Sequence, residues 1–285
     1  MPKSGISFQR LVDRAAFLTK RATGWGVWPD FVILGGAKCA SSAFYTNLVQ
    51  HPLIHEARRK EVHYYDTKFH QGPKWYRANF PSRAARWWKT SLRGQAFCTG
   101  EASPYYLFHP HAPRRMRQVA PQTKLIAILR EPASRAFSHY KHMLRDGRET
   151  LEFDAAIEQE AERLAGEREK LLADETYAAN RFRFFSYQAR GIYADQLAAW
   201  AEHFPRERIL VLQSEAYRRD PLGVTNRTLD FLGIPHWDGF VFERHNVGGY
   251  KDAMSDATRE KLRAYFKPHN ERLWNWLGER WDWDD

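Results

Sequence analysis

The chain alternates short, wholly apolar runs with longer amphipathic stretches. Phe31-Val32-Ile33-Leu34 is a continuous apolar run of strand length, the pattern of a strand covered on both faces. Lys-Leu-Ile-Ala-Ile-Leu-Arg from Lys124 to Arg130 and Arg-Ile-Leu-Val-Leu-Gln from Arg208 to Gln213 repeat it. A weaker segment, Ala96 to Thr99, predicts another strand, and residues 54 to 66 a short strand or extended loop. Ala43, Leu48 and Val49 share a helix face after the first strand, and His51-Pro52 ends that helix, because the residue before a proline avoids helical geometry. Pro132 opens a helix carrying Ala136, Phe137, Tyr140 and Leu144. Helices are also predicted over 72–93, 191–203 and 221–232, the last stopped by Gly233. The charged stretch 148–185, with Phe153, Ala156, Ile157 and Leu164 as a modest stripe, reads as a solvated helical insert. Strands alternating with helices predict an α/β domain with a mainly parallel central sheet and flanking helices.

Composition narrows the picture. A chain of 285 residues with 43% apolar content suits one sizeable domain. We divide it into a basic N-terminal segment, 1–27, and a domain, 28–285, carrying the 148–185 insert. The formal charge of +10 suggests anionic company: nucleotide, polyanionic sugar, nucleic acid or lipid headgroups. Two cysteines, Cys39 and Cys98, make no disulfide framework and fit a reducing cytoplasm. No run approaches the roughly 20 apolar residues of a spanning helix, and residues 1–23 lack the continuous apolar core of a secretory signal. Those residues read instead as a basic amphipathic helix, with Phe8, Leu11, Val12, Ala15, Phe17 and Leu18 partly on one side. Such a helix packs on the domain or makes a peripheral contact with a membrane surface.

The candidate chemistry lies just after two of the strands. Gly35-Gly36 breaks the first apolar run, and the small residues Ala37, Cys39, Ala40, Ser41 and Ser42 carry the chain into a helix beginning near Ser42 and Ala43. A strand, a small-residue loop and a helix start together cradle a phosphate, since backbone N–H groups and the helix dipole meet the anion there. Lys38 adds a full positive charge, and Ser41 and Ser42 add hydroxyls. This is no Walker A loop, in which lysine directly precedes the Ser or Thr. Arg130 ends its strand and Ser138 lies eight residues on; guanidinium fork and hydroxyl together suit a second phosphate. The rule that α/β sites form beyond the carboxyl ends of strands puts both groups on one edge.

These two elements, with Lys60-Glu61-Val62-His63-Tyr64-Tyr65-Asp66, Gly100-Glu101-Ala102-Ser103-Pro104-Tyr105-Tyr106, Arg190-Gly191-Ile192-Tyr193 and Asp230-Phe231-Leu232-Gly233, resemble the PAPS-dependent sulfotransferases. Within them the pattern is nearest to the heparan-type and related bacterial carbohydrate enzymes. The resemblance covers residues 28 to 283 and implies a P-loop-like three-layer fold. It also implies sulfuryl transfer from PAPS (3'-phosphoadenosine 5'-phosphosulfate), leaving PAP, to a hydroxyl or amine of a saccharide or glycolipid. Lys38 with Cys39, Ala40, Ser41, Ser42 and Ala43 would hold the 5'-phosphosulfate, and Arg130 and Ser138 the 3'-phosphate. Tyr193 and a closing loop bearing Gly248, Gly249 and Lys251 would complete the nucleotide site. Glu61 would be the base, with His63 orienting it or the acceptor, and no metal is required. Cys39-Ala40-Ser41-Ser42 follows the lysine where the family usually carries Gly-Gly-Thr or Gly-Thr-Thr, and Ala102 stands where several members have lysine. The family's flanking cysteine pair is missing, which favours a bacterial-type cytoplasmic enzyme. A nucleotide kinase is the competing reading, though the loop lacks the Walker-type lysine. A nucleic-acid binder is another, though the basic residues are interleaved with 34 acidic ones.

Overall fold

The structure is a computed structural model that describes residues 8–242 and 254–283. Five strands, β1 (Phe31–Ile33), β2 (Ile54–Glu56), β3 (Cys98–Ala102), β4 (Lys124–Leu129) and β5 (Ile209–Gln213), form one sheet in the order β2-β3-β1-β4-β5. Every pairing is parallel, with Phe31 opposite Gly100 on one side and Lys124 on the other. The chain builds outward from β1 to one edge, then returns to add β4 and β5, so strand order reverses at β1.

Helices α1 (Phe8–Thr23), α2 (Ser41–Leu48), α3 (Gly72–Arg77) and α4 (Arg83–Trp87) precede β3, α4 running on into a π-helical turn, Trp88–Leu92. After it come α5 (Ala112–Val119), α6 (Pro132–Arg145), the short insert helices α7 (Phe153–Glu158), α8 (Glu160–Leu164), α9 (Glu167–Ala173) and α10 (Asn180–Phe184), and α11 (Tyr193–Ala201). Helices α12 (Ser214–Arg219), α13 (Pro221–Leu232) and α14 (Asp256–Leu277) follow β5.

The two-residue period of the strands divides the core. Phe31, Ile33, Ile126, Ile128, Leu210 and Leu212 pack with Phe44 and Leu48 of α2, Tyr217 of α12 and Leu229 of α13. Their neighbours Val32, Leu34, Leu125, Leu129 and Val211 face the opposite way, onto Tyr76, Met116, Trp200 and Trp274. Helices thus cover both faces, the three-layer arrangement expected of apolar parallel strands. The expected strand at 96–99 lies further on, at Cys98–Ala102. Gly100 permits it, because a Cβ there would meet the Phe31 carbonyl at 2.5 Å.

Candidate active site

β1 stays against β4 beyond its last strand residue. The amides of Leu34 and Gly36 donate to the Ile126 and Ile128 carbonyls at 2.8 and 2.9 Å. Gly35, at φ 77°, passes so close to Pro104 that a Cβ would lie 2.6 Å from it. The loop then alternates, with Cys39 buried beneath it and Lys38 and Ala40 partly exposed. Burial pushes the Cys39 thiol up to about 11, so it is no nucleophile at neutral pH. Helix α2 begins at Ser41 with Ala40 as its N-cap, and no side chain caps it. Its first-turn amides, at the positive end of the dipole, are left for an anion from outside.

Among the described residues the non-glycine residues with positive φ are Lys38 (72°), Ala40 (67°) and His63 (56°). Each such residue costs about 1 kcal/mol or more, and all three fall at this one edge. Of the short strand or extended loop expected over 54–66, the strand is β2 (Ile54–Glu56), and the chain turns at His63. A turn at His63 rather than strand alternation brings the two side chains together.

Positive charge collects around the loop. Lys60 Nζ donates to Ser42 Oγ and lies 3.5 Å from Glu61 Oε1. Burial, then Arg145 and Arg130, push the Lys38 ammonium below its ordinary value, with Lys60 adding to the effect and Asp146 opposing it. Arg130 Nε is buried without a hydrogen-bond partner among the described residues. Arg218 of α12 feels the charge of Arg130. Ser138, partly buried, lies midway along α6. The start of that helix differs from the start of α2: the Glu131 carboxylate accepts the Ala133 and Ser134 amides at 2.8 and 2.7 Å, closing the helix end with its own anion. Tyr193 is buried, its hydroxyl donating to the Arg130 carbonyl at 2.9 Å and lying 3.8 Å from Cys39 Sγ. It ties the two loops together from beneath.

A chain of ionisable groups flanks the Lys60–Ser42 contact. The His63 ring reaches Asp66 through Nδ1 at 2.6 Å and Glu61 through Nε2 at 3.2 Å. Burial opposes charge on His63, but the hydrogen bonds to Asp66 and Glu61 outweigh it and raise the imidazole to about 9. The bond from His63 in turn holds the Glu61 carboxyl below its usual range. Near neutral pH the row is carboxylate, imidazolium, carboxylate. Asp66 is buried, whereas the Glu61 side chain is 41% exposed and open to an incoming molecule. Glu101, fully buried, accepts from the Val62 amide, Ser103, Tyr76 and Tyr106. Burial raises its carboxyl to about 7. Its part is to hold the segment before His63 in place.

The sequence-predicted residues Lys38 to Ala43, Glu61, His63, Arg130 and Tyr193 thus gather beyond the carboxyl ends of β1 and β4, where strand order reverses, while Ser138 lies further on, midway along α6. The closing segment with Gly248, Gly249 and Lys251 lies outside the described residues. Sequence reasoning passed over Lys60, Asp66 and Arg218 as site residues. Lys60 and Asp66 had a signal, lying within the quoted Lys60-to-Asp66 element.

A family model described as a sulfotransferase domain matches residues 28–244. The chain belongs to the sulfotransferase family. The crystal structure of the sulfotransferase from Alicyclobacillus acidocaldarius superposes with a TM-score of 0.65 at 31% identity, over 91% of this chain and all of that one (100%). This sulfotransferase is also 28% identical to heparan sulfate glucosamine 3-O-sulfotransferase 3B1 of Mus musculus and 24% identical to the membrane-associated sulfotransferase kil1 of Dictyostelium discoideum. Both alignments cover 90% of this chain but 65% and 67% of the relatives, so it spans roughly two thirds of their length. Among its described residues no cluster of three or more His, Cys, Asp or Glu could hold a metal ion.

Proposed function

We propose that the chain transfers the sulfuryl group of PAPS to a hydroxyl or amine of a saccharide or glycolipid, in the cytoplasm and without a metal. The observation that carries this reading is the gathering of Lys38, Lys60, Arg130 and Arg145 around an uncapped helix start. Like charges brought together without an anion repel one another, and a doubly anionic nucleotide relieves the repulsion. Lys38, Ser42 and the amides of Ser41 to Ala43 take the 5'-phosphosulfate. Arg130, whose Nε has no described partner, takes the 3'-phosphate with Ser138.

The acceptor oxygen or nitrogen forms a bond to sulfur as the bond from sulfur to the nucleotide phosphate breaks, with attacking and leaving atoms in line. Catalysis of such a transfer is chiefly positioning and charge stabilisation. Negative charge grows on the departing phosphate oxygen, which leaves as PAP, and Lys38 and Lys60 offset it. The acceptor proton passes to Glu61. His63, held charged by Asp66, fixes the orientation of that carboxylate through Nε2. The insert borders the acceptor side through Arg183 of α10, whose charge acts on His63.

Calorimetry with PAP and transfer from radiolabelled PAPS to a panel of glycans and glycolipids test the reading. Glu61→Gln keeps the shape but cannot take the proton. PAP affinity is expected to stay near wild type while transfer falls by about 10²-fold or more. A protein that binds no PAP, or a Glu61→Gln variant of normal rate, overturns the donor or the base respectively. Retention on polynucleotide in place of PAP would favour the nucleic-acid reading.

A further inference from the structure

The opposite edge of the sheet carries a surface that sulfuryl transfer does not use. Trp25, Trp87, Trp88 and Leu92 are 60, 55, 50 and 55% exposed, an unusual outlay of large apolar side chains in one region. They belong together. The Arg83 amide donates to the Trp25 carbonyl at 2.8 Å, and Gly26 bridges Ser82, so Trp25 sits against the start of α4. Along α4 and its π-helical continuation, Arg86 turns inward to Asp30 at 2.6 Å and Lys89 to His55 at 3.1 Å. Trp87, Trp88 and Leu92 therefore occupy the outward side. Helix α1 runs into Trp25 and is held to the body through Phe17, which packs on the core, and Lys20, which donates to the Phe80 carbonyl at 2.6 Å. Its residues Leu11, Val12 and Leu18 are exposed. Leu11 and Leu18, seven residues apart, lie on one stripe with Arg14 and Arg21.

Charge selects the partner. Every charged residue between Asp66 and Glu101 is a Lys or Arg, and exposed Arg83 and Arg93 flank the tryptophans, Arg93 lying 5.7 Å from the Trp88 ring. Tryptophan rings and Leu92 rimmed by arginines, on a segment without an acidic residue, fit the headgroup layer of an anionic bilayer. Among the described residues no helix is long and apolar enough to cross a membrane, so the contact is with the surface.

We propose that Trp25, Trp87, Trp88 and Leu92, extended by the outer stripe of α1, dock this protein on anionic lipid. The docking also orients the molecule. Trp25 precedes β1 and the 83–92 helix precedes β3, while Lys38 and Arg130 follow the far ends of β1 and β4. The membrane face and the nucleotide edge lie at opposite ends of the strands, and the docked protein opens its active site away from the bilayer.

The test is co-sedimentation with phosphatidylglycerol/phosphatidylcholine vesicles and with pure phosphatidylcholine vesicles, at low and raised salt. The proposal expects binding to the anionic vesicles, weakened by salt, and little to the neutral ones. Trp87→Ala/Trp88→Ala/Leu92→Ala should lower that binding about ten-fold or more. Its circular dichroism and melting temperature should be unchanged, because the replaced side chains are exposed. Arg83→Glu/Arg93→Glu should weaken binding to anionic vesicles alone. Absence of wild-type binding, or a folded triple variant that binds equally well, overturns the proposal. So does a concentration-dependent dimer lost in the triple variant without any vesicle binding, which would assign the face to a second copy of the chain.

Discussion

His63 is a histidine that the fold holds charged, and Asp66 is the lever. Its imidazole is raised from 6.5 to about 9 against the effect of burial. A displacement of that size corresponds to about 3 kcal/mol of preference for the charged ring in the folded state. Because the folded value lies above the unfolded one, this stability is fully present below pH 6.5 and is lost as pH rises through about 9. Asp66→Asn keeps the side-chain shape and an oxygen for Nδ1–H but removes the buried charge 2.6 Å away. The ring then retains only Glu61 as an anionic partner, and its pKa should drop by a unit or more. Two measurements check this. An NMR titration of the His63 ring should place the wild-type midpoint near 9 and that of the variant clearly lower. Urea unfolding should show a loss of about 2–3 kcal/mol for the variant near pH 6, shrinking below about 1 kcal/mol near pH 9.5. An equal loss at both pH values, or a wild-type ring titrating at or below 6.5, would refute the reasoning.

The remaining predictions concern the two anion sites. Arg130→Ala should weaken PAP binding by about 1.5–3 kcal/mol in calorimetry, leaving the single-turnover rate at saturating PAPS nearly unchanged. Lys38→Ala should do the reverse, slowing that rate strongly while the melting temperature holds; a wild-type rate would mean that the lysine does not meet the leaving group. Ala40→Gly relieves a left-handed alanine and should raise stability by about 1 kcal/mol, read by chemical denaturation. A destabilised variant would show that the loop does not hold φ 67° in solution.

The strands that the polarity pattern predicted are those buried on both faces by aliphatic side chains. β1, β4 and β5 have no polar interior residue to interrupt the run. β3 was misplaced because its interior holds Gly100 and Glu101. The first is explained only by the approach of Phe31, the second only by a set of four donors of which Val62 and Tyr76 come from distant parts of the chain. The loop with Lys38 was legible because small residues between an apolar run and a helix have few other uses. Arg218 was not, because a single charged residue acquires a role only when a neighbouring helix sets it beside a partner. His63 makes the same point in another way. Its contact with Glu61 exists because the backbone there turns through φ 56° instead of alternating as in a strand.

Glu131 makes the two proposed anion sites different kinds of receptor. On the proposed reading the recognising groups at α2 include main-chain amides, which no replacement other than proline removes, so grip on the transferring end of a donor depends on the backbone more than on side chains. At α6 the helix end is already closed by Glu131, and the proposed second site rests on the side chains of Arg130 and Ser138, each replaceable by one substitution. On the proposed reading, one substitution can alter recognition at the second position and leave the transferring end as it is.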